Sequence, residues 1–113
     1  MEPTLNLWFE VGDQVALSLW RVQLLQAIAA AGSISGGAAI MSVPYRVAWQ
    51  KIHEMEKLLD QKLIETQVGG RQGGGAALTP LAQDFVSRFQ QFQKRVQPLL
   101  IETYQELFAD LLA

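Results

Sequence analysis

The chain has 113 residues, half of them apolar, with nine basic and eleven acidic side chains, a net charge of −2 and no cysteine. That length and apolar content describe one folded domain (1–113) with a single modest core, and argue against disorder. The lack of cysteine excludes a disulfide framework, a thiolate nucleophile and a Cys-ligated zinc.

Residues 4 to 11 alternate Leu5, Leu7, Phe9 and Val11 with Asn6, Trp8 and Glu10, which predicts a strand ended by Gly12-Asp13. Its expected partner is the hairpin at 63 to 78. A helix follows over 18–31, capped by Ser18, with a stripe of Trp20, Leu24, Ile28 and Ala31, Leu25 at its edge and Val22 off it; Gly32 ends it. In G-S-I-S, Ser33 and Ser35 each offer a cap to a short second helix, about Gly36 to Met41, whose two glycines permit close approach to a neighbouring helix. Ser42-Val43-Pro44 breaks the chain, with Pro44 fitting a first-turn position. The next helix runs from Tyr45 to about Leu59 and buries Ala48, Ile52, Met55 and Leu59, spaced 4, 3 and 4 apart. Its other face carries Arg46, Val47, Gln50, His53, Glu54 and Lys57, with Trp49 flanking the buried side. Trp8, Trp20 and Trp49 are expected as core aromatics. Two short helices meeting at a tight break make residues 35–59 a helix-turn-helix.

Residues 63–78 hold a short apolar run, a loop with five glycines and one arginine over 69 to 75, and a second run ending at Leu78. Two strands around so permissive a loop, between a helix and a Thr-Pro helix start, read as a β-hairpin wing. The last helix, 80–112, has Thr79 as cap and Pro80 at its first position. Unbroken it would be about 48 Å long, and Pro98 is expected to bend or end it near Gln93 to Gln97. Phe85, Phe89, Phe92, Val96, Leu100, Leu107 and Leu111 follow helical spacing. A small domain cannot cover that stripe, so these residues are the expected dimerisation face. The fold class is mainly α with a small β-sheet: a winged helix-turn-helix with a long C-terminal dimerisation helix.

An acidic balance counts against nucleic acid. Residues 14 to 95, however, hold all nine Lys and Arg against five acids, a net of +4, with the other six acids at the two ends. Enzyme motifs fail one by one. His53-Glu54 starts like H-E-x-x-H, but position 57 is lysine; the glycine run lacks the Lys-Ser/Thr of a phosphate-binding loop and the G-x-G-x-x-G spacing. With one histidine and no cysteine, no nucleophile–base pair is evident. No enzyme activity, metal site or cofactor is expected. The N-terminus has no basic segment followed by an apolar stretch, and no run is long enough to span a membrane.

Together, G-S-I-S at 32 to 35, Tyr45-Arg46 with Ala48-Trp49, Glu54-Met55, G-G-R-Q-G-G-G at 69 to 75 and Leu78-Thr79 resemble the DNA-binding domain of ModE, the bacterial molybdate-responsive regulators, within the LysR-like winged-helix group. The resemblance covers about residues 5 to 95. It implies a bacterial, cytoplasmic regulator that binds double-stranded DNA as a homodimer, with a separate molybdate-binding chain as a candidate partner. Four departures stand against the family pattern. Pro44 replaces a serine, Gln72 a wing glycine and Val47 a residue that is often polar, and the chain ends at Ala113, without the expected molybdate-binding domains.

The candidate DNA-contacting residues are Ser33, Ser35, Tyr45, Arg46, Val47, Gln50 and Lys51, with Gly70, Arg71, Gln72 and Gly73 in the wing. Arginine pairs bidentate with guanine, glutamine with adenine, and valine contacts a thymine methyl; Tyr45 or Lys51 would hold a phosphate and Arg71 the minor groove or backbone. A solvated polar face accounts for the same helix residues. The competing reading is a protein-interaction module or heterodimer partner that keeps the fold but binds DNA weakly or not at all.

Overall fold

In the computed structural model, which describes residues 1–67 and 75–112, the elements follow in the order β1 (Trp8–Val11), β2 (Gln14–Ser18), α1 (Leu19–Ala31), α2 (Ile34–Ile40), α3 (Tyr45–Leu59), β3 (Ile64–Gln67), β4 (Gly75–Leu78) and α4 (Pro80–Phe108). Arg21 is the only charged residue of α1. That helix buries Val22, Leu24, Leu25, Ala27 and Ile28, a wider surface than the single stripe expected, while Trp20 is half-buried and Ala31 exposed. A helix apolar over so much of its circumference has to be surrounded. It is: α2, α4, β2 and β4 all pack on it.

Local signals set its ends. Ser18 stays extended and its hydroxyl accepts the Arg21 N–H at 3.2 Å. Gly32, at φ 76, turns the chain out through a left-handed residue, its N–H donating to the Ile28 carbonyl at 2.8 Å. Ser33 alone caps α2, accepting the Gly36 N–H at 2.9 Å, so Ser35 lies inside that helix. Pro44 is the N-cap of α3 rather than its first helical residue.

The strand at the N-terminus does not pair with the 63–78 hairpin as expected. It forms its own antiparallel hairpin with β2, Trp8 opposite Ser18 and Val11 opposite Gln14, with an irregularity at Phe9/Glu10. Gly12, at φ 59, turns the chain where the pattern suggested only a stop. Pairing with the adjacent residues closes the shortest loop, and so at the least entropic cost. Leu7 and Phe9 point into the core, whereas Trp8 is exposed, correcting its assignment as a core aromatic.

The second hairpin pairs Ile64 with Leu78 and Gln67 with Gly75. Thr79 closes its base: its hydroxyl donates to the Lys62 carbonyl (2.8 Å) and accepts the Ala82 N–H (3.2 Å), while its own N–H donates to Leu63 (2.9 Å). The Ala76 N–H reaches the Gly32 carbonyl at 2.8 Å, tying this hairpin to the α1–α2 corner.

In its first turns α4 buries Ala82 and Phe89. Phe9 meets Phe89 at 5.3 Å and Phe92 at 5.5 Å between ring centroids. Pro98 does not end the helix, which continues to Phe108. The Tyr104 hydroxyl donates to the Met1 carbonyl at 3.0 Å, so the N-terminal segment lies alongside α4. Phe89 cannot serve a dimer as expected, because it is 1% exposed within the chain's own core. With α4 running on past the core, the chain extends over 62 × 27 × 22 Å.

Helices α1 and α2 approach at Gly37, where an added Cβ would meet the Ile28 Cγ1 and lie 2.9 Å from the Ile28 backbone. Gly37→Ala should therefore destabilise the fold by about 1–3 kcal/mol despite alanine's better helix propensity. Urea unfolding measures it; an unchanged or raised midpoint would count against so close a contact.

Candidate nucleic-acid interface

Helix α3 presents three strips around its buried Ala48, Ile52 and Met55. Arg46, Gln50 and Lys57 form the exposed centre. Tyr45, Trp49, His53 and Glu56 turn toward the β3–β4 hairpin, where they line a cleft of about 210 Å³ with Lys62, Ile64 and Thr66. Val47 and Lys51, both half-buried, lie on the third strip beside Glu54.

Pro44 offers α3 no side-chain cap. The first intrahelical donors are the N–H groups of Val47 and Ala48, both to the Pro44 carbonyl. The earlier N–H groups therefore face out at the positive end of the helix dipole, a setting that favours an anion. Ser33, Ser35 and Tyr45 meet Thr66, Gln67 and Gly75 around a neighbouring cleft of about 270 Å³. The candidate set is thus divided. Ser33, Ser35 and Tyr45 sit together next to the hairpin, Arg46 and Gln50 on the open ridge, and Val47 and Lys51 on the far strip. Gly70, Arg71, Gln72 and Gly73 lie outside the described residues.

Two acids hold this arrangement, and neither was singled out from the sequence as an anchor. Glu56 accepts the N–H groups of Leu63 (2.8 Å) and Ile64 (3.3 Å), fixing the root of the hairpin against α3. Glu54, placed by the sequence on the polar face of this helix, accepts from the Arg21 guanidinium at 2.9 Å and lies 3.6 Å from the Lys51 ammonium. Arg21 is nine-tenths buried, and its second terminal nitrogen, Nη1, has no partner among the described residues. A buried cation needs a counter-charge, so Glu54 is committed to α1 before any phosphate approaches. One signal pointed to it: a lone arginine in an otherwise uncharged, apolar helix requires an acid from a neighbour. Trp49 is another correction, being 43% exposed and stacked on His53 with ring centroids 3.7 Å apart.

Glu54→Ala should cost about 1–3 kcal/mol by leaving the Arg21 charge buried without a counter-ion. Arg21→Met, which removes the charge as well, should cost less. Chemical denaturation of both variants compares the two, and equal losses would show that an unpaired buried charge is not what destabilises the first.

Residues 19–83, from the start of α1 into the first turn of α4, match the model of the bacterial regulatory helix-turn-helix proteins of the lysR family. The chain is 42% identical over 69 residues to the DNA-binding transcriptional dual regulator ModE of Escherichia coli K12, an alignment covering 61% of this chain and 26% of that protein. It is 36% identical over 85 residues to the molybdenum transport protein ModE of Azotobacter vinelandii (75% of this chain, 32% of that protein). Against the molybdenum-pterin-binding protein MopB of Rhodobacter capsulatus the identity is 34% over 90 residues (80% and 33%). The chain spans about a quarter to a third of the length of these relatives. Among solved structures, the zinc-responsive MarR family member ZitR of Lactococcus lactis is similar with a TM-score of 0.51 at 21% identity, over 92% of this chain and 69% of that one. At that identity the likeness is one of fold.

Proposed function

Since the chain belongs to the lysR family of bacterial regulatory helix-turn-helix proteins, we propose that it is a sequence-specific DNA-binding module of a transcriptional regulator. The observation that carries this reading is the exposed ridge of Arg46 and Gln50 at the uncapped N-terminal end of α3, beside the root of the hairpin. In this reading α3 enters the major groove. Arg46 reads guanine, Gln50 reads adenine, and Lys51, Tyr45, Ser33 and Ser35 hold the backbone. The glycine loop with Arg71 follows the adjoining minor groove or phosphates, a role taken from its sequence alone. Two copies joined through α4 would bind a palindromic site with half-sites about one or two turns apart. The relatives' names tie them to molybdenum; in this chain the reading assigns DNA contact and leaves molybdate recognition to a separate chain or domain. Contact with bacterial DNA would place it in the cytoplasm, and no catalytic role is part of the reading.

Arg46→Ala should weaken binding by about 1–3 kcal/mol and relax preference at one base pair of a site selected from random DNA. Arg71→Ala should weaken binding to all sequences and lower the salt slope by about 1. Affinity of the unmodified chain should fall steeply with salt. A flat response would favour the protein-interaction reading instead.

A further inference from the structure

The side of α3 that faces the second hairpin holds the chain's one histidine, and the reading above gives it no role. The half-buried His53 ring is held by two contacts: it stacks on Trp49, and its Nδ1 lies 2.8 Å from the Trp49 carbonyl. A carbonyl only accepts, so Nδ1 carries the ring's first proton. Nε2, on the far edge, has no hydrogen bond among the described residues and is where a second proton goes. His53 lines the cleft between α3 and the hairpin with the exposed Lys62 and Thr66. That cleft shares Ile34, Tyr45 and Thr66 with the one that reaches Ser33 and Ser35, so the two form a single trough. Around the imidazole the described charges cancel. Glu56, Lys57, Asp60 and Lys62 border it on the outer side. The Tyr45 phenol also lines the cleft, and Ile34 of α2 and Ile64 and Thr66 of β3 bring no charge. Glu56 is already engaged by the Leu63 and Ile64 N–H groups. A proton on Nε2 therefore tips a balanced rim to positive.

We propose that His53 and Lys62 hold a phosphate of the DNA backbone over this trough, and that the contact strengthens when His53 takes up a proton. The inference rests on the DNA reading above and adds to it a binding site and a pH dependence. If α3 fills the major groove and the hairpin follows the adjoining minor groove, one sugar–phosphate strand separates the two grooves. That strand has to cross between the two elements, and the trough is the gap it crosses. The floor of the trough, Ile34, Ile52 and Ile64, is apolar and buried, so any charge offered to a phosphate comes from the rim. The exposed Lys62 ammonium has no ion pair among the described residues and supplies a permanent charge. His53 adds a charge-assisted donor only in its protonated form. A phosphate favours that form, so DNA binding takes up a proton and affinity rises as pH falls.

The test is affinity for duplex DNA by fluorescence anisotropy at about pH 7 and about pH 5.5, a span in which histidine side chains ordinarily change charge. Salt is held fixed and inorganic phosphate left out. The wild type should bind about threefold or more tightly at the lower pH. His53→Gln should lose that gain while binding like the wild type at the higher pH. His53→Lys should bind tightly at both and steepen the salt slope by about 1, and Lys62→Gln should weaken binding at both and lower the slope by about 1. Circular dichroism melts verify that each variant is folded. With one histidine in the chain, a pH gain that survives in His53→Gln arises elsewhere and overturns the proposal. So does salt-dependent binding by the wild type that is the same at both pH values, or a folded Lys62→Gln with an unchanged salt slope. Arg46→Ala separates the site from the reading it rests on: base preference should be lost and the pH gain kept. A wild type that binds no DNA at either pH overturns both.

Discussion

Leu24, Leu25 and Ile28 have no exposed surface, and most of the body is arranged around the helix that carries them. Packing α1 on several sides at once is what fixes the other elements relative to each other. The contact at Gly37 sets the α1–α2 approach, β2 feeds directly into the helix, and the Ala76–Gly32 hydrogen bond brings the hairpin to the α1–α2 corner. The exposed face of α3 is then oriented by the outer layer of this packing. Ala48, Ile52 and Met55 point inward, so Arg46 and Gln50 must point out. The position of the candidate interface thus follows from burial on the opposite side of the helix rather than from any contact among the exposed residues themselves.

That logic explains what could be read from the residues alone. The spacing of Ala48, Ile52, Met55 and Leu59 defines one face, and a helix has only one opposite to it, so the ridge was legible. Ser18, Gly32 and Thr79 carry their capping chemistry in their own side chains or in the lack of one. The failures share a different physics. The pairing of β1 depended on whether Gly12 stops a strand or turns it, and a period-two pattern cannot say which. Phe89 belongs to an apolar stripe that looks uniform in sequence; only the presence of Phe9 above it separates core from surface. Trp49 sits at the border of the buried face, where a half turn of helix decides exposure. Long-range pairs such as Glu56 with the Leu63 and Ile64 N–H groups obey no spacing rule and had no signal.

The charge balance also changes meaning once side chains are placed. A count over the middle of the chain gives a modest positive excess, but not every charge in it is available to a polyanion. Arg21 is buried and Glu54 faces it, so this pair contributes little net field at the surface, and Lys51 shares the same carboxylate. What remains open on α3 is Arg46 and Lys57, together with the unpaired first-turn N–H groups behind Pro44. A proline at that position removes a competitor for those donors as well as a cap. The departure from the family's serine therefore costs helix stability and, by the same step, leaves the helix terminus free for a phosphate.

Helix α4 divides its surface between the body of its own chain and solvent. Its first turns are half core, and the N-terminal segment lies along a neighbouring side farther out, with Tyr104 bonded to Met1. These contacts consume the apolar stripe that a heptad reading would assign to a second chain. What stays open along the helix is Phe92, Leu99, Ile101, Leu107 and Phe108, set among arginines in the first half and glutamates in the second.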